Sequence, residues 1–248
     1  MSPLIKPPGL SREENLPLRS HLIELRQRLI KSFIAVVVMT TVSFIYARQV
    51  FAILESRAQG INLIYIEMTE MIETYFSVAL ISGIMLSFPF LVYQFVMFLR
   101  PGLTPVEKRY LYLLLPGVTL SFVTGLLFGY FVLIPPAANF LMTFGSDIAT
   151  PQIRVGNFVS LMTRLLFAIG LCFETPILLF FLTKIHVVTP ELLAKYRKFA
   201  IVGAFIIGAM ITPTFDPINQ TLVALPIILL YEVGILLAKL ARGKKKPA

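Results

Sequence analysis

The amino-acid sequence predicts an all-α protein that crosses a membrane several times. Of its 248 residues, 57% are hydrophobic and only 14% are charged, and the mean hydropathy is +0.83. This composition is typical of polytopic membrane proteins rather than of soluble globular domains. The apolar runs have helix length and lack the alternation of membrane strands. Because lipid cannot hydrogen-bond to an exposed backbone, the spans are expected to be helices of a single bundle over 1–248.

Six apolar runs predict six transmembrane helices, at 29–46, 75–99, 110–134, 158–183, 199–211 and 218–237. The first run starts too late, after too many charges, for a cleaved signal peptide, so the amino terminus is expected to be retained. The fifth run reaches only about 20 Å at 1.5 Å per residue. The uncharged part of the sixth covers only 222–231. We therefore expect short fifth and sixth helices, beside which the bilayer thins.

Prolines and glycines predict how the helices bend and pack. A proline inside a span removes a hydrogen-bond donor and favours a kink, and several kinks would give a concave bundle. The kinks are predicted at Pro89, Pro116, Pro176 and Pro226. Gly125 and Gly129 are four residues apart, a spacing that allows close contact with another helix.

The distribution of Lys and Arg predicts that both termini are cytoplasmic. That topology puts eighteen of these residues inside and four outside, as the positive-inside rule requires. The topology and the attraction of basic residues to anionic lipid then account for the net charge of +9, so the charge does not imply a nucleic-acid partner. The resulting cytoplasmic segments are 1–28, 100–109, 184–198 and 240–248, and the periplasmic loops are 47–74 and 135–157.

The first periplasmic loop carries three glutamates at helical spacing, Glu67, Glu70 and Glu73. Apolar residues lie between them. The pattern predicts an amphipathic external helix that runs into the second span.

The sequence lacks the usual signatures of an enzyme. Its single cysteine, Cys172, can form neither a disulfide framework nor a multi-cysteine metal site. Its only histidines, His21 and His186, belong to no hydrolase or metalloprotease motif, and no glycine-rich phosphate loop is present. We therefore expect a protein that is not an enzyme and that has no metal and no cofactor.

Glu174 lies in an otherwise uncharged apolar run, 165–182. A carboxylate at the centre of a span costs roughly 2.5 to 3.5 kcal/mol on insertion scales, so it usually faces a partner, a wet cavity or a helix interface. Its position therefore marks a candidate functional residue.

Two cytoplasmic segments carry further candidate carboxylates. The segment 21–28 has the pattern of an amphipathic helix, in which Glu24 and Arg28 are spaced for a surface ion pair. In the segment 98–109, Thr104 is a predicted N-cap, Pro105 the first helical residue and Glu107 the third, which together make a capping box. Both spacings are explained without a ligand, yet both glutamates lie on one side of the membrane.

These segments together resemble the TatC subunit of the twin-arginine protein translocase. The resemblance covers nearly the whole chain and includes the six spans with both termini inside. The segments that carry it are 21–28, 98–109 with Pro101-Gly102-Leu103, Phe173-Glu174-Thr175-Pro176, 212–216, and Gln220-Thr221-Leu222.

The resemblance implies a receptor in the bacterial inner membrane that recognises the twin-arginine signal peptides of folded cargo. It implies that Glu24 and Glu107 bind the two arginines, with Arg26, Phe98 and Leu103 nearby. A guanidinium matches a carboxylate with a fork of donors, worth roughly 1.5 to 3 kcal/mol in a sheltered site, whereas lysine offers only a point charge. Neighbouring basic residues would keep the glutamates ionised and repel poorly matched peptides.

The resemblance also implies partners within the membrane. These are the single-span proteins TatA and TatB, driven by the proton-motive force, and copies of the chain within the complex. Glu174 would contact a partner helix in the concavity, with Gln94 as its polar neighbour, and Asp216 would have a secondary role.

Several alternatives remain open from the residues themselves. Leu103 has the position of a hydrophobic residue that staples the turn onto the helix. For Glu174 the alternative is a hydrogen bond to Gln94, and for Asp216 it is a cap of the last helix before Pro217. A proton-coupled carrier of a small solute would also explain a buried carboxylate and kinked helices. An intramembrane hydrolase lacks a dyad, because neither histidine lies at depth.

Overall fold

The structure, a computed structural model, describes residues 16–57, 63–143, 148, 152–212 and 217–242. Ten α-helices and a pair of two-residue strands make up its regular elements, joined by a 3-10 turn at Arg100–Gly102 and a π-helical turn at Gly129–Leu133. The helices are α1 Leu16–Ile45, α2 Ala47–Glu55, α3 Glu70–Leu99, α4 Pro105–Phe128, α5 Ile134–Thr143, α6 Val155–Phe173, α7 Thr175–Lys184, α8 Pro190–Lys195, α9 Arg197–Ile211 and α10 Pro217–Arg242. The strands are β1 Leu63–Ile64 and β2 Ile153–Arg154. The predicted all-α class is confirmed.

Each predicted span coincides with a helix or a run of joined helices. Within the described residues, five are long and apolar enough to cross a membrane: Ser20–Ile45, Glu70–Leu99, Glu107–Phe140, Val155–Lys184 and Pro217–Arg242. The remaining span is α9, whose 15 residues extend about 22 Å at 1.5 Å per residue. The short fifth helix is therefore confirmed.

The prediction of a short sixth helix is wrong, because α10 has 26 residues. The charge that suggested an early end, Glu232, is paired with Arg197 on α9, with 2.8 Å between Nε and Oε1 and 2.9 Å between Nη2 and Oε2. Since the two charges neutralise each other in a bidentate pair, the helix continues past Glu232.

The helices pack around α6, whose buried residues include Val159, Met162 and Ile169 at the centre of the main apolar cluster. Helices α3 and α4 contact α6, while α7 and α9 pack mainly against α10. The predicted close contact at Gly125 and Gly129 is confirmed. A Cβ on Gly125 would lie 2.9 Å from the Cα of Gly170 in α6, and one on Gly129 would lie 3.0 Å from Leu166.

Helix α1 contacts mainly α3. At the closest point of this pair, a Cβ on Gly83 would lie 2.4 Å from Thr40 Oγ1 and 2.5 Å from Thr40 Cα. The two backbones can approach so closely because glycine has no side chain. The position of α1 therefore depends on one small residue of α3.

We expect Gly83→Leu to destabilise the protein in detergent by about 3 kcal/mol, because the new side chain overlaps backbone atoms of α1. For a chain of this size, that lowers the melting temperature by roughly 6 to 12 °C. Gly203→Leu in α9 is the matched control, since a Cβ there meets no atom within 4 Å. Equal melting temperatures for the two variants would refute the close contact.

Of the four prolines predicted to bend the spans, one follows a break in its span and three lie inside continuous helices, where the kinks stay predictions. Pro89, Pro116 and Pro226 lie inside α3, α4 and α10. Pro176 lies in the first turn of α7, directly after a break that ends α6 at Phe173 and leaves Glu174 between the two helices. The fourth span is thus two helices with a carboxylate at their junction.

The bundle has two chemically different ends. The basic end, as we call it, contains the starts of α1, α4 and α9 and the ends of α3, α7 and α10. It is tied together by the Lys184 amine, which donates to the Ala241 carbonyl at 3.0 Å, and by the ion pair of Arg242 with Glu191. The strand end contains β1 and β2, which pair in parallel with Leu63 opposite Ile153.

A buried carboxylate holds the strand end together. Glu70, only 6% exposed, accepts hydrogen bonds from Ile66 N at 3.0 Å and Gly156 N at 3.1 Å. It also accepts from Arg154, whose Nε and Nη2 lie 3.2 and 3.0 Å from Oε2. The helix predicted around Glu67, Glu70 and Glu73 therefore begins only at Glu70, which joins the two long loops instead of facing solvent.

Candidate functional site

Glu24 lies on the first turns of α1 and is engaged by its own helix. Arg28 donates to Glu24 Oε1 through Nε at 2.9 Å and Nη2 at 2.6 Å. This is the ion pair that the four-residue spacing predicted. Glu24 remains one third exposed, so a ligand from outside can reach the carboxylate.

Two contacts hold this part of α1 against the end of α3. Arg28 Nη1 donates to the buried Gln94 Oε1 at 3.3 Å, and the His21 ring stacks on Phe98 with centroids 4.3 Å apart. His21 Nδ1 also lies 4.0 Å from Glu24 Oε2. Since Phe98 is half-buried and Arg28 bonds to Glu24, the surface around Glu24 combines an aromatic ring with positive charge, while Arg26 is exposed two residues further along α1.

Glu107 is held by the predicted capping box at the start of α4. The Thr104 backbone N–H donates to Glu107 Oε2 at 2.8 Å, and the Glu107 N–H donates to Thr104 Oγ1 at 3.5 Å. The carboxylate is half-buried. Because only one of its oxygens takes part in the box, the other is available to a further donor.

Both glutamates lie on helices that adjoin the end of α3. Phe98, in its last turn, contacts α1, and the short turn at Arg100–Gly102 leads directly into the cap of α4. Glu24 and Glu107 are therefore both linked to the same helix end, each with a local partner. In the part of the chain that the structure describes, no hydrogen bond joins one to the other.

Leu103 packs inward at this turn. It contacts the apolar cluster of Val96, Leu111, Leu114, Val118 and Phe181, as a residue that staples the turn onto the helix would. Its side chain is half-buried, so part of it still faces the surface beside Glu107.

Helix α8 and its contacts with α10 form the rest of the basic end. Arg242 pairs with Glu191 at the start of α8, and Tyr231 donates to the Leu193 carbonyl at 2.9 Å. The pKa of Glu191 is below its ordinary value, because a bond from its own backbone N–H and the nearby charge of Arg242 both favour the carboxylate. These contacts fix α8 to α10.

Glu174 lies in an apolar groove between α3, α4, α6 and α7. The groove has a volume of about 460 Å³, and Glu174 is its one ionisable lining residue. Its other lining residues are Phe88, Val92, Phe95, Val96, Leu99, Leu111, Leu114, Val118, Leu171, Leu178, Phe181 and Leu182. Glu174 is 4% exposed, and neither carboxylate oxygen has a hydrogen-bond partner among the described residues.

The predicted hydrogen bond between Glu174 and Gln94 is therefore wrong. Gln94 accepts from Arg28 instead. The backbone at the helix break is partly satisfied without the carboxylate, because Ser121 Oγ donates to the Phe173 carbonyl at 2.6 Å. The chain thus presents an unpaired polar group inside an otherwise apolar groove.

Asp216 lies outside the described residues, so its proposed role as a cap or a secondary site is untested. Next to that segment, Gln220 Nε2 donates to the Phe205 carbonyl at 2.8 Å and joins α10 to α9. Across the described ranges, no group of three or more His, Cys, Asp or Glu side chains is placed to hold a metal ion.

Sequence reasoning found each of these carboxylates but missed two contacts around them. The bond from Arg28 to Gln94 joins positions 66 residues apart, and no local pattern indicates it. His186, in the loop after α7, lies close enough to Glu107 to act on it electrostatically. The sequence feature that could have drawn attention to His186 is the rarity of histidine, since the chain has only two.

Comparison with known proteins agrees with these features. Residues 20–226 match the family model described as "Sec-independent protein translocase protein (TatC)". A protein of the same description from Aquifex aeolicus is 42% identical over 237 residues, which cover 93% of this chain and 98% of that protein. Another from Carboxydothermus hydrogenoformans is 35% identical over 235 residues, covering 94% and 97%.

A solved structure is also similar. It is described as the crystal structure of the twin-arginine translocase receptor TatC, and it superposes with a TM-score of 0.81 at 41% sequence identity. The match covers 89% of this chain and 99% of that one. The similarity therefore extends over the whole helical bundle.

Proposed function

Because this chain belongs to the TatC family of Sec-independent protein translocase proteins, we propose that it is the receptor that binds twin-arginine signal peptides and nucleates the translocation complex. The family and the helices make the chain a multi-pass membrane protein and a component of the Tat translocase rather than an enzyme. The family assignment also removes the basis for the alternative of a carrier for small solutes.

The observation that supports this proposal is that Glu24 and Glu107, neither of them fully buried, lie on the two helices that adjoin the end of α3. Each carboxylate is oriented by a local hydrogen bond, so little side-chain freedom is lost when a ligand arrives. Each also retains acceptor capacity for a guanidinium. Two separate carboxylates suit two adjacent arginines better than a single acidic patch would.

Binding at Glu24 is an exchange. The site is already occupied by Arg28, so an incoming guanidinium must replace this partner, while Arg28 keeps its bond to Gln94. A lysine has one charged nitrogen and cannot reproduce the two bonds that the resident guanidinium donates to Glu24 Oε1 through Nε and Nη2. The exchange therefore favours arginine over general basicity.

Arg26, Phe98 and Leu103 complete the proposed site. Arg26 repels peptides that do not seat both arginines, and Phe98 and the exposed part of Leu103 offer apolar contact to the residues beside the arginine pair. Support for these roles comes from the exposure of Arg26 on α1, the contact of Phe98 with His21, and the position of Leu103 in the turn before α4.

The groove that contains Glu174 suits a transmembrane helix of a partner. An apolar groove with one unsatisfied carboxylate fits a partner helix that carries a polar residue at the same depth, because that residue would supply the missing hydrogen bond. The single-span proteins TatA and TatB have the required form. Partners of this kind, driven by the proton-motive force, would supply the passage, since the described helices enclose no conduit for a folded protein.

The orientation follows from charge. The basic end, with Lys184, Lys239 and Arg242, would face the cytoplasm, and the strand end would face the periplasm of a bacterial inner membrane. Signal peptides are then recognised on the side where cargo is synthesised.

The proposal predicts that Glu24→Gln and Glu107→Gln each weaken the binding of a twin-arginine peptide by about tenfold or more, because each removes one charge-assisted bond. Glutamine still completes a capping box at position 107, so the helix start is preserved. Fluorescence anisotropy of a labelled peptide with the protein in lipid nanodiscs measures the Kd.

Glu191→Gln is the control for these variants, because it removes the same charge from the same end of the bundle and should leave the Kd unchanged. The intact protein should bind the twin-lysine peptide at least about tenfold more weakly than the twin-arginine peptide. Equal affinity for the two peptides would refute the receptor mechanism.

A further inference from the structure

The two histidines of the chain each neighbour one of the two glutamates proposed to bind arginine. His21 Nδ1 lies 4.0 Å from Glu24 Oε2 on α1. His186 lies in the loop after α7, near the start of α4, where the pKa of Glu107 is lowered mainly by its hydrogen bonds with Thr104 and to a smaller extent by the nearby His186. The first pair lies within α1, and the second joins the loop after α7 to the start of α4.

His21 is held where it is by an aromatic contact. Its ring stacks on Phe98 with an interplanar angle of 18°, which fixes the imidazole between α1 and α3. One ring nitrogen is directed toward Glu24. A positive charge on this ring therefore stays near the carboxylate.

His186 occupies a backbone conformation that histidine rarely adopts. Its φ is 61°, in the left-handed region that favours glycine. The His186 N–H donates to the Thr183 carbonyl at 3.1 Å, and the Val187 N–H donates to the Leu182 carbonyl at 2.9 Å. This is the helix-ending Schellman motif, with histidine at the position where glycine is usual.

The loop that carries His186 lies against the start of α4. Ile185 packs on the same apolar cluster as Leu103, and the Lys184 amine lies 4.8 Å from the ring centroid of Tyr110, one helical turn after Glu107. A strained residue retained next to a functional site points to a role for its side chain.

The other charged groups in the described part of this end are lysine, arginine and glutamate side chains. On α1, Arg28 bonds to Glu24, and Arg26 is exposed; on the turn after α3, Arg100 lies over the Tyr112 ring; α4 carries Lys108 and Arg109. On α7, Lys184 donates to Ala241; between α8 and α10, Glu191 pairs with Arg242; Arg197 of α9 pairs with Glu232; and Lys195, Lys198 and Lys239 are the further cations of these helices. Of these residue types, histidine is the one whose charge ordinarily changes between pH 5 and 8.

We propose that His21 and His186 make twin-arginine binding depend on pH, because each protonated imidazole competes with the incoming guanidinium for its glutamate. The inference rests on the proposed function of Glu24 and Glu107. Protonation adds a cation beside each carboxylate, and binding of the peptide expels that proton. By linkage, peptide affinity falls as the pH falls through the histidine range, and peptide binding releases protons.

The test compares the Kd of a labelled twin-arginine peptide at about pH 8 and about pH 5.5, on either side of the histidine range. The measured quantity is the ratio of the two Kd values for each protein in nanodiscs. His21→Phe keeps the ring that stacks on Phe98 but cannot be protonated. His186→Asn keeps a residue that tolerates the left-handed region and is neutral at both pH values.

The intact protein should bind about tenfold more weakly at the lower pH, with each histidine contributing about threefold, as expected for a charge a few ångströms away in a partly exposed site. For the double variant, the Kd at the lower pH should be less than about twofold higher than the Kd at the higher pH. Isothermal titration in buffers of different ionisation enthalpy should show proton release for the intact protein near pH 6.5 and none for the double variant.

If the ratio of the two Kd values in the double variant equals the ratio in the intact protein, this inference is overturned. That outcome is distinct from failure of the receptor function, which would appear at the higher pH as equal affinity for twin-arginine and twin-lysine peptides. Suppose that the protein still prefers the twin-arginine peptide at the higher pH, and that the double variant has the same Kd ratio as the intact protein. That result refutes the role of the histidines and leaves the receptor function intact.

Discussion

Replacement of Glu174 by leucine is expected to reduce transport of a folded twin-arginine cargo by about tenfold or more while making the isolated protein more stable. The carboxylate has no hydrogen-bond partner among the described residues and lies in an apolar groove. Its desolvation is therefore uncompensated until a partner arrives, and an unsatisfied buried group costs about 1–3 kcal/mol. Removing it should raise the melting temperature by about 3 °C or more.

Two measurements separate the parts of this prediction. Transport is followed as uptake of a folded reporter into inverted membrane vesicles, and stability is followed as the melting temperature in detergent. Peptide binding should stay within about twofold of the intact protein, because the proposed signal-peptide site lies at the basic end, away from Glu174. Glu174→Gln keeps hydrogen-bonding capacity and should transport better than the leucine variant. Full transport by Glu174→Leu would contradict a role for this residue in partner binding.

Breaking the contact between Glu70 and Arg154 is the second change with a large expected effect. In Glu70→Ala, the Arg154 guanidinium and the N–H groups of Ile66 and Gly156 all lose the carboxylate that they share. Loss of one member of a buried, hydrogen-bonded ion pair is strongly destabilising. We expect the melting temperature in detergent to fall by about 10 °C.

Glu67→Ala is the matched control for Glu70→Ala. Glu67 also pairs with Arg154, at 3.0 Å, but its side chain is 64% exposed, and exposed pairs contribute little to stability. The control should change the melting temperature by less than about 2 °C. Equal shifts in the two variants would show that burial of Glu70 does not hold the strand end together.

The helices could be predicted because the solvent imposes them. A long apolar run must satisfy its own backbone in lipid, so composition and length alone located each span. The same reasoning was wrong for α10, where Glu232 was read as the end of the apolar part although Arg197 of the neighbouring helix pairs with it. A hydropathy scale assigns each charged side chain the free-energy cost of an unpaired charge in lipid, whereas in a bundle a residue of a second helix can neutralise that charge.

Local chemistry of the candidate site was predictable where partners are close in sequence. The pair of Glu24 with Arg28 and the capping box of Thr104 with Glu107 each join residues three or four positions apart. Contacts between distant segments could not be predicted from spacing. The unpaired state of Glu174 and the burial of Glu70 are both of this kind, because each depends on which helices pack together.

Helix α3 links the two carboxylates of the proposed site, since α1 contacts it at Gly83 and Gln94 while α4 starts directly after its end. One residue added between Gly83 and Gln94 would turn the last part of α3 by about 100° relative to α1 and break the alignment of both contacts. The stretch of α3 between these two residues therefore has a fixed length.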